Sequence, residues 1–170
     1  MVVSIRVRST NEHICSGTIL DDTNILTAAH CVRNISEQDL IVAAGMYYLS
    51  EKNAVIQPIQ KIVIHPNYTA HGNQYTNDLA ILHLSIPIDR YDSGGISQTC
   101  LPRNHTSRQN QPLVIAGWNM TKNYTFINPE IIQQAEVYSI GNHSNCSSIN
   151  DQYQLQFCAG HFEYLKSMDI

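Results

Sequence analysis

Charge is scarce in this chain. Charged residues make up 14% of its 170 residues, well under the usual quarter or so, and the 10 Lys and Arg against 14 Asp and Glu leave a net charge of −4. No Lys/Arg cluster interrupts the sequence, so the electrostatic footprint of a nucleic-acid binder is missing. Nor does any run approach the roughly 18 consecutive apolar residues of a membrane-spanning helix, which predicts a chain that acts without crossing a membrane. Helical periodicity is almost absent. The Cys-x-x-Cys and His-x-x-x-His spacings are missing too, although there are five Cys and eight His, so no metal site and no cofactor is expected. What replaces charge is Asn, Ser and Thr, a globular polar surface unlike the charge-rich composition of disorder.

Asn-x-Ser/Thr sequons occur at Asn34, Asn67, Asn104, Asn119, Asn123, Asn142 and Asn145, against about two expected by chance from the Asn, Ser and Thr content. Asn145 is the weakest, because Cys146 is its middle residue. The excess predicts a secreted, glycosylated chain. The first residues, Met1-Val-Val-Ser-Ile-Arg-Val-Arg, have neither the basic start nor the long apolar stretch of a signal peptide and read as a strand, so the expectation is a mature fragment or a chain whose beginning lies upstream.

The apolar residues come in short β-branched runs punctuated by Asn, Asp, Gly, Ser and Pro, which predicts an all-β fold. Strands are expected at Val2–Arg8, His13–Leu20, Asn24–Thr27, Leu40–Ala44, Val55–His65, Leu79–Leu84, Leu113–Gly117, Gln133–Ile140 and Gln154–Ala159, with turns at Asp21-Asp22, Gly72-Asn73 and Ser93-Gly94-Gly95. Two short helices are expected, at Ala28–Arg33 and at Asn142–Ile149, the second with Asn142 as N-cap. A polar connector without alternation runs over about 97–111. Six strands before it and three after predict one closed barrel, 1–96, and one incomplete barrel, 112–170, because an all-β unit closes or covers its edges.

Chemistry concentrates in two segments. Leu26-Thr-Ala-Ala-His-Cys31 sets His30 just after an apolar strand and beside a cysteine, and Thr76-Asn-Asp-Leu-Ala-Ile-Leu-His-Leu84 sets Asp78 directly before another. A carboxylate there is costly to bury without a partner. His30 and Asp78 from two strand ends of one barrel form the base-plus-orienter pair of nucleophilic catalysis, in which the carboxylate fixes the imidazole tautomer. His13, His65, His71, His83, His105, His143 and His161 read as surface or loop residues, and Trp118, Tyr47, Tyr48 and Tyr68 as core or lobe-interface packing.

At these residues the sequence resembles the chymotrypsin-type (trypsin-like) serine endopeptidases. Cys15-Ser-Gly-Thr-Ile-Leu20, Leu26-Thr-Ala-Ala-His-Cys31, Ile64-His-Pro-Asn-Tyr68, Asn77-Asp-Leu-Ala-Ile-Leu82, Cys100-Leu-Pro102, Ile115-Ala-Gly-Trp118 and Phe157-Cys-Ala-Gly160 are similar to family landmarks and stand in the family's order. The resemblance implies a double antiparallel β-barrel, His30 as general base, Asp78 as its orienter, disulfides Cys15–Cys31 and Cys146–Cys158, and protein or peptide substrates. It also implies that Cys100, the odd cysteine, bridges to an upstream propeptide; a free thiol is the alternative.

Several family features are absent. The nucleophile's Gly-Asp-Ser-Gly-Gly segment does not occur, nor does the Ile-Val-Gly-Gly start whose freed amine activates the family. Leu113 stands where many relatives have a cysteine, Asn119 follows Trp118 where glycine is usual, and the tail from Tyr164 to Ile170 leaves the pattern, with Ser167 in no nucleophile context. Loss of the triad serine lowers kcat on the order of 10⁶. The leading expectation is therefore a protease domain cut before its serine, carrying a base and an orienter but inactive alone. The alternatives are a catalytically dead homologue that binds protein partners, and a remnant that does not fold.

Overall fold

The computed structural model describes residues 1–71, 74–89, 95–101, 110–118, 130–139 and 159–160. Two compact units are distinguished, one made of Met1–Leu101 with Gly117–Gln133, the other of Pro102–Ala116 with Gln134–Ile170. Among the described residues no helix is long and apolar enough to cross a membrane.

The first unit is built on a closed six-stranded antiparallel barrel. Its strands are β1 (Val2–Val7), β2 (His13–Ile19), β3 (Asn24–Thr27), β4 (Leu40–Ala44), β5 (Val55–Ile64) and β8 (Ala80–Leu84), in the order β1-β2-β3-β8-β5-β4. Period-2 alternation explains the inward faces: in β3 Ile25 and Thr27 are buried, and in β8 Ala80, Leu82 and Leu84. These meet Val3, Ile5, Ile19, Leu40, Val42 and Ala44 from the other strands in one core. A single-turn helix, α1 (Ala29–Val32), follows β3 and adds Ala29 and Val32 to that core. A hairpin of two short strands, β6 (Thr69–His71) and β7 (Gln74–Thr76), leads into β8. The sequence pattern does not show it, since three residues are too few for an alternation to stand out. The expected turn at Gly72-Asn73 lies outside the described residues, as do Ser93, Gly94 and the expected helix at Asn142–Ile149.

The outer face of β1 is polar and nevertheless buried. Ser4 is fully buried and Arg6 nearly so. The Arg6 guanidinium donates from Nε to Ser4 Oγ at 3.0 Å, from one terminal nitrogen to Asn11 Oδ1 at 3.2 Å, and from the other to the Leu49 carbonyl at 2.8 Å. Burial lowers the Arg6 pKa from its ordinary value, and the nearby negative charge of Glu130 opposes that shift. Here the expectation that His13 lies on the surface fails: His13 is buried, with Nδ1 2.7 Å from Ser4 Oγ and its ring edge-on to Trp118. The reason is a bulge. Ile5 pairs with Cys15 but Arg6 pairs with His13, so Ile14 is the extra residue and the strand beyond it changes face, carrying His13 to the Ser4–Arg6 side.

Trp118 is fully buried, as its apolar bulk predicts, and donates from its indole nitrogen to the Tyr47 carbonyl at 3.3 Å. Tyr47 and Tyr48 depart from the packing expectation. They are exposed, and pack against each other edge to face while their backbone pairs with 131–132.

In the second unit, β9 (Pro112–Gly117), β10 (Gln133–Ser139) and β11 (Ala159–Gly160) form a three-stranded sheet in the order β11-β10-β9. Ser139 anchors it, exchanging backbone bonds with Asn110 and Gln111 and accepting the Gln111 N–H on its hydroxyl at 2.9 Å.

Candidate active site

β3 and β8 are neighbours in the barrel, with Thr27 opposite Ala80. His30 lies three residues beyond Thr27 and Asp78 two residues before Ala80, so strand pairing alone brings both to one end of the barrel. Local geometry does the rest. Asn77 adopts a left-handed φ of 50°, a conformation that Asn tolerates better than most residues, and its side-chain amide donates to the Asn67 carbonyl at 2.9 Å. Leu79 N–H closes a tight turn onto the Asn77 carbonyl at 2.7 Å. Asp78 is the central residue of that γ-like turn, which projects its side chain away from the strand and toward α1.

Asp78 grips His30 twice. Oδ1 accepts the His30 backbone N–H at 2.8 Å and Oδ2 lies 2.6 Å from Nδ1. The N-cap residue of α1, Ala28, has no side chain to cap with, so the Asp78 carboxylate satisfies a first-turn donor that a Ser or Asp cap would otherwise serve. An ionised carboxylate only accepts hydrogen bonds, so the 2.6 Å contact calls for a proton on Nδ1. The Asp78 side chain is one-fifth exposed and that of His30 about two-fifths, so the imidazole is accessible from outside while the carboxylate is sheltered.

Two further contacts fix the imidazole. The Tyr75 ring stacks on it with centroids 5.1 Å apart, and Tyr68 stacks in turn on Tyr75 at 6.4 Å. Sequence reasoning did not single out Tyr75 for this, because the contact comes from the β6–β7 hairpin. On the other side a Cys15–Cys31 disulfide, Cα atoms 6.2 Å apart, ties α1 to β2, and Thr27 Oγ1 donates to the Ser16 carbonyl at 3.0 Å. Cys31 Sγ sits 3.4 Å from His30 Nε2.

Of the other residues singled out, Cys100 is exposed and outside any disulfide among the described residues, and Asn34 and Asn67 are exposed. Asn104, Asn119, Asn123, Asn142, Asn145, Cys146 and Cys158 lie outside the described residues.

The sequence matches the model of the trypsin family over residues 1–167. It is 33% identical over 141 residues to chymotrypsin-like elastase family member 1 of Felis catus, covering 80% of this chain and 50% of that protein. It is 31% identical over 127 residues to fibrinolytic enzyme, isozyme C, of Lumbricus rubellus, covering 74% of this chain and 51% of the relative. The chain thus spans about half the length of these curated relatives. Among solved structures, neuropsin, a serine protease expressed in the limbic system of mouse brain, superposes with a TM-score of 0.76 over 95% of this chain and 69% of its own, at 20% identity; that likeness is one of fold, the chymotrypsin-like all-β architecture. On the family match over nearly its whole length, the chain belongs to the trypsin family of chymotrypsin-type serine proteases.

Proposed function

We propose that these 170 residues are the part of a trypsin-type serine endopeptidase that supplies its general base, His30, and its orienter, Asp78, and that they hydrolyse no peptide bond by themselves. The observation that carries this is the double grip of Asp78 on His30. A base so held takes the proton of an attacking hydroxyl on Nε2 and returns it to the leaving amine, while the carboxylate stabilises the imidazolium formed between the two steps. A hydroxyl placed against Nε2 and donors for the tetrahedral oxyanion are needed as well, and the sequence contains no Gly-Asp-Ser-Gly-Gly segment to provide them. The substrates are proteins or peptides. Barrel 1–96, connector 97–111 and partial barrel 112–170 remain the division we favour, with Cys146–Cys158 as the bridge of the second part.

Secretion is part of the proposal, supported by seven sequons and by a disulfide of the kind that persists in oxidising compartments. Main chain at Met1 lies against Thr99, the residue before the exposed Cys100, which favours a disulfide from Cys100 to an upstream propeptide. The second reading is a catalytically dead homologue that binds protein partners.

Peptide mapping of the termini of the natural protein after deglycosylation separates the two. A product that continues into a Gly-Asp-Ser-Gly-Gly-like segment supports the protease, and in that protein His30→Ala or Asp78→Ala should lower peptide hydrolysis about 10⁴- to 10⁶-fold; retention of a tenth of the activity would refute their roles. A product ending at Ile170, secreted and monodisperse, supports the binder.

A further inference from the structure

An open cleft of about 330 Å³ in the first unit is walled by Val2, Met46, Tyr47, Ile96 and Ile132, and Glu51 is the one charged side chain among its described lining residues. We propose that this cleft binds an arginine or lysine side chain of a partner polypeptide, the apolar walls taking the aliphatic stem and Glu51 the charged head. The site is independent of the catalytic role proposed for His30.

Glu51 is held in place by its own turn. Oε2 accepts the Tyr47 N–H at 2.8 Å and the Tyr48 N–H at 3.4 Å, and the Glu51 N–H donates back to the Tyr48 carbonyl at 3.1 Å. Among the described residues Oε1 has no hydrogen bond and Glu51 no ion pair. A half-buried carboxylate between apolar walls is costly without a counter-charge, and a cation that donates to the open oxygen supplies one. Two cations belong to or touch the lining residues, and each has its own partners. The Arg6 guanidinium, which donates to Met46 Sδ at 3.0 Å, is coupled to Glu130, and the Met1 ammonium donates to the Thr99 hydroxyl at 2.9 Å.

The walls are set before any ligand arrives. Ile96 is buried against Gly45, whose φ of 73° and missing side chain allow the approach: a Cβ there would stand 2.9 Å from Ile96 Cδ1. The Ile132 N–H donates to the Tyr47 carbonyl at 3.0 Å, and the Tyr47 ring, 55% exposed, is braced edge to face by Tyr48 with centroids 5.2 Å apart. Tyrosine and methionine are enriched at contact surfaces, and the face of a tyrosine ring attracts an ammonium or guanidinium. The volume lies at the small end for ligand pockets, which suits one long side chain. Lysine and arginine match it because they bury an aliphatic stem while the head stays with polar groups.

The test is titration of the isotope-labelled full chain with the blocked peptide acetyl-Gly-Arg-Gly-amide, followed by nuclear magnetic resonance. The expected result is saturable shifts of the Met46 methyl and of the Tyr47 and Tyr48 amides, with the citrulline analogue, equal in shape but uncharged, binding about tenfold more weakly or worse. Glu51→Gln keeps an oxygen for the Tyr47 N–H and removes the charge, so it should weaken the arginine peptide to a similar degree, whereas Tyr47→Phe should retain binding and Tyr47→Ala weaken it. Equal binding of the arginine and citrulline peptides would overturn the proposal, as would indifference to Glu51→Gln or the absence of saturable shifts. Shifts confined to His30 and Tyr75 would overturn it by placing the peptide at the proposed catalytic pair. Loss of peptide binding in the natural protein, with residues preceding Met1 found in the cleft, would overturn the assignment to a partner.

Discussion

Replacing both Cys15 and Cys31 by Ala removes the covalent tie between β2 and the helix that carries His30. The bridge spans a sequence separation of 16. In the chain-entropy account a closed loop of that size restricts the unfolded ensemble by about 3 kcal/mol at 25 °C. Both cysteines also pack against the barrel core, and trimming each sulfur to a methyl group adds a few tenths of a kcal/mol of lost contact. The double variant should therefore unfold about 3 kcal/mol more easily than the oxidised parent. For a chain of this size that corresponds to a melting temperature lower by roughly 6–12 °C. Urea titration at 25 °C under non-reducing conditions, followed by circular dichroism, gives the difference directly. A loss below about 1 kcal/mol would refute the reasoning, because it would mean that the unfolded chain is not restrained by the bridge or that the barrel is not the cooperative unit described. A domain stable by the usual 5–15 kcal/mol survives this loss.

Leu82 is fully buried between Ile25 of β3 and Ile62 of β5, whereas Leu79, just before the same strand, is half exposed. Leu82→Ala should lower stability by about 3–5 kcal/mol and Leu79→Ala by no more than about 0.5 kcal/mol; similar values for the two in urea denaturation would place the barrel core elsewhere. Asp21 accepts bonds from the Asn24 amide, the Thr23 hydroxyl and both backbone N–H groups; the Asn24 side chain foremost, with the Thr23 bonds and the Asn24 N–H, holds its carboxyl below the usual value against the opposing effect of burial. Because the folded-state pKa is the depressed one, its contribution is present above the ordinary aspartate value of about 3.9 and is lost as pH falls through the folded value. The urea midpoint of Asp21→Ala should accordingly fall less steeply over that acid range than that of the parent; parallel curves would contradict the assigned bonds.

How much of this was legible in the sequence depends on whether a feature is local. β3 and β4 have the bounds that their apolar runs predict, and β8 begins one residue later than expected because Asp78 and Leu79 are taken up by the turn behind Asn77. The meeting of His30 with Asp78 was legible because each sits at the end of a recognisable strand and the two strands pair. The face of His13 was not, since simple alternation sets it with Cys15, Gly17 and Ile19 and only the bulge at Ile14 turns it to Ser4. Tyr75 against His30 was equally hidden, because a strand of three residues such as β7 is too short for its alternation to stand out and gains its order from β6 beside it. The buried charge of Arg6 belongs to the same class: Ser4 and Asn11 nearby and the Met46 sulfur and Leu49 carbonyl from a distant loop accept from it and make it tolerable, and sequence pattern does not announce them.

Asp78 holds the imidazole of His30 in a geometry that calls for the proton on Nδ1. Long-range proton–nitrogen correlation spectra of the uniformly labelled chain read that tautomer directly. The prediction is an Nδ1–H imidazole with a low-field, exchange-protected proton for His30, converting to the Nε2–H form common in water when Asp78 is replaced by Ala. An Nε2–H tautomer in the parent chain, or a His30 signal indifferent to Asp78→Ala, would contradict it.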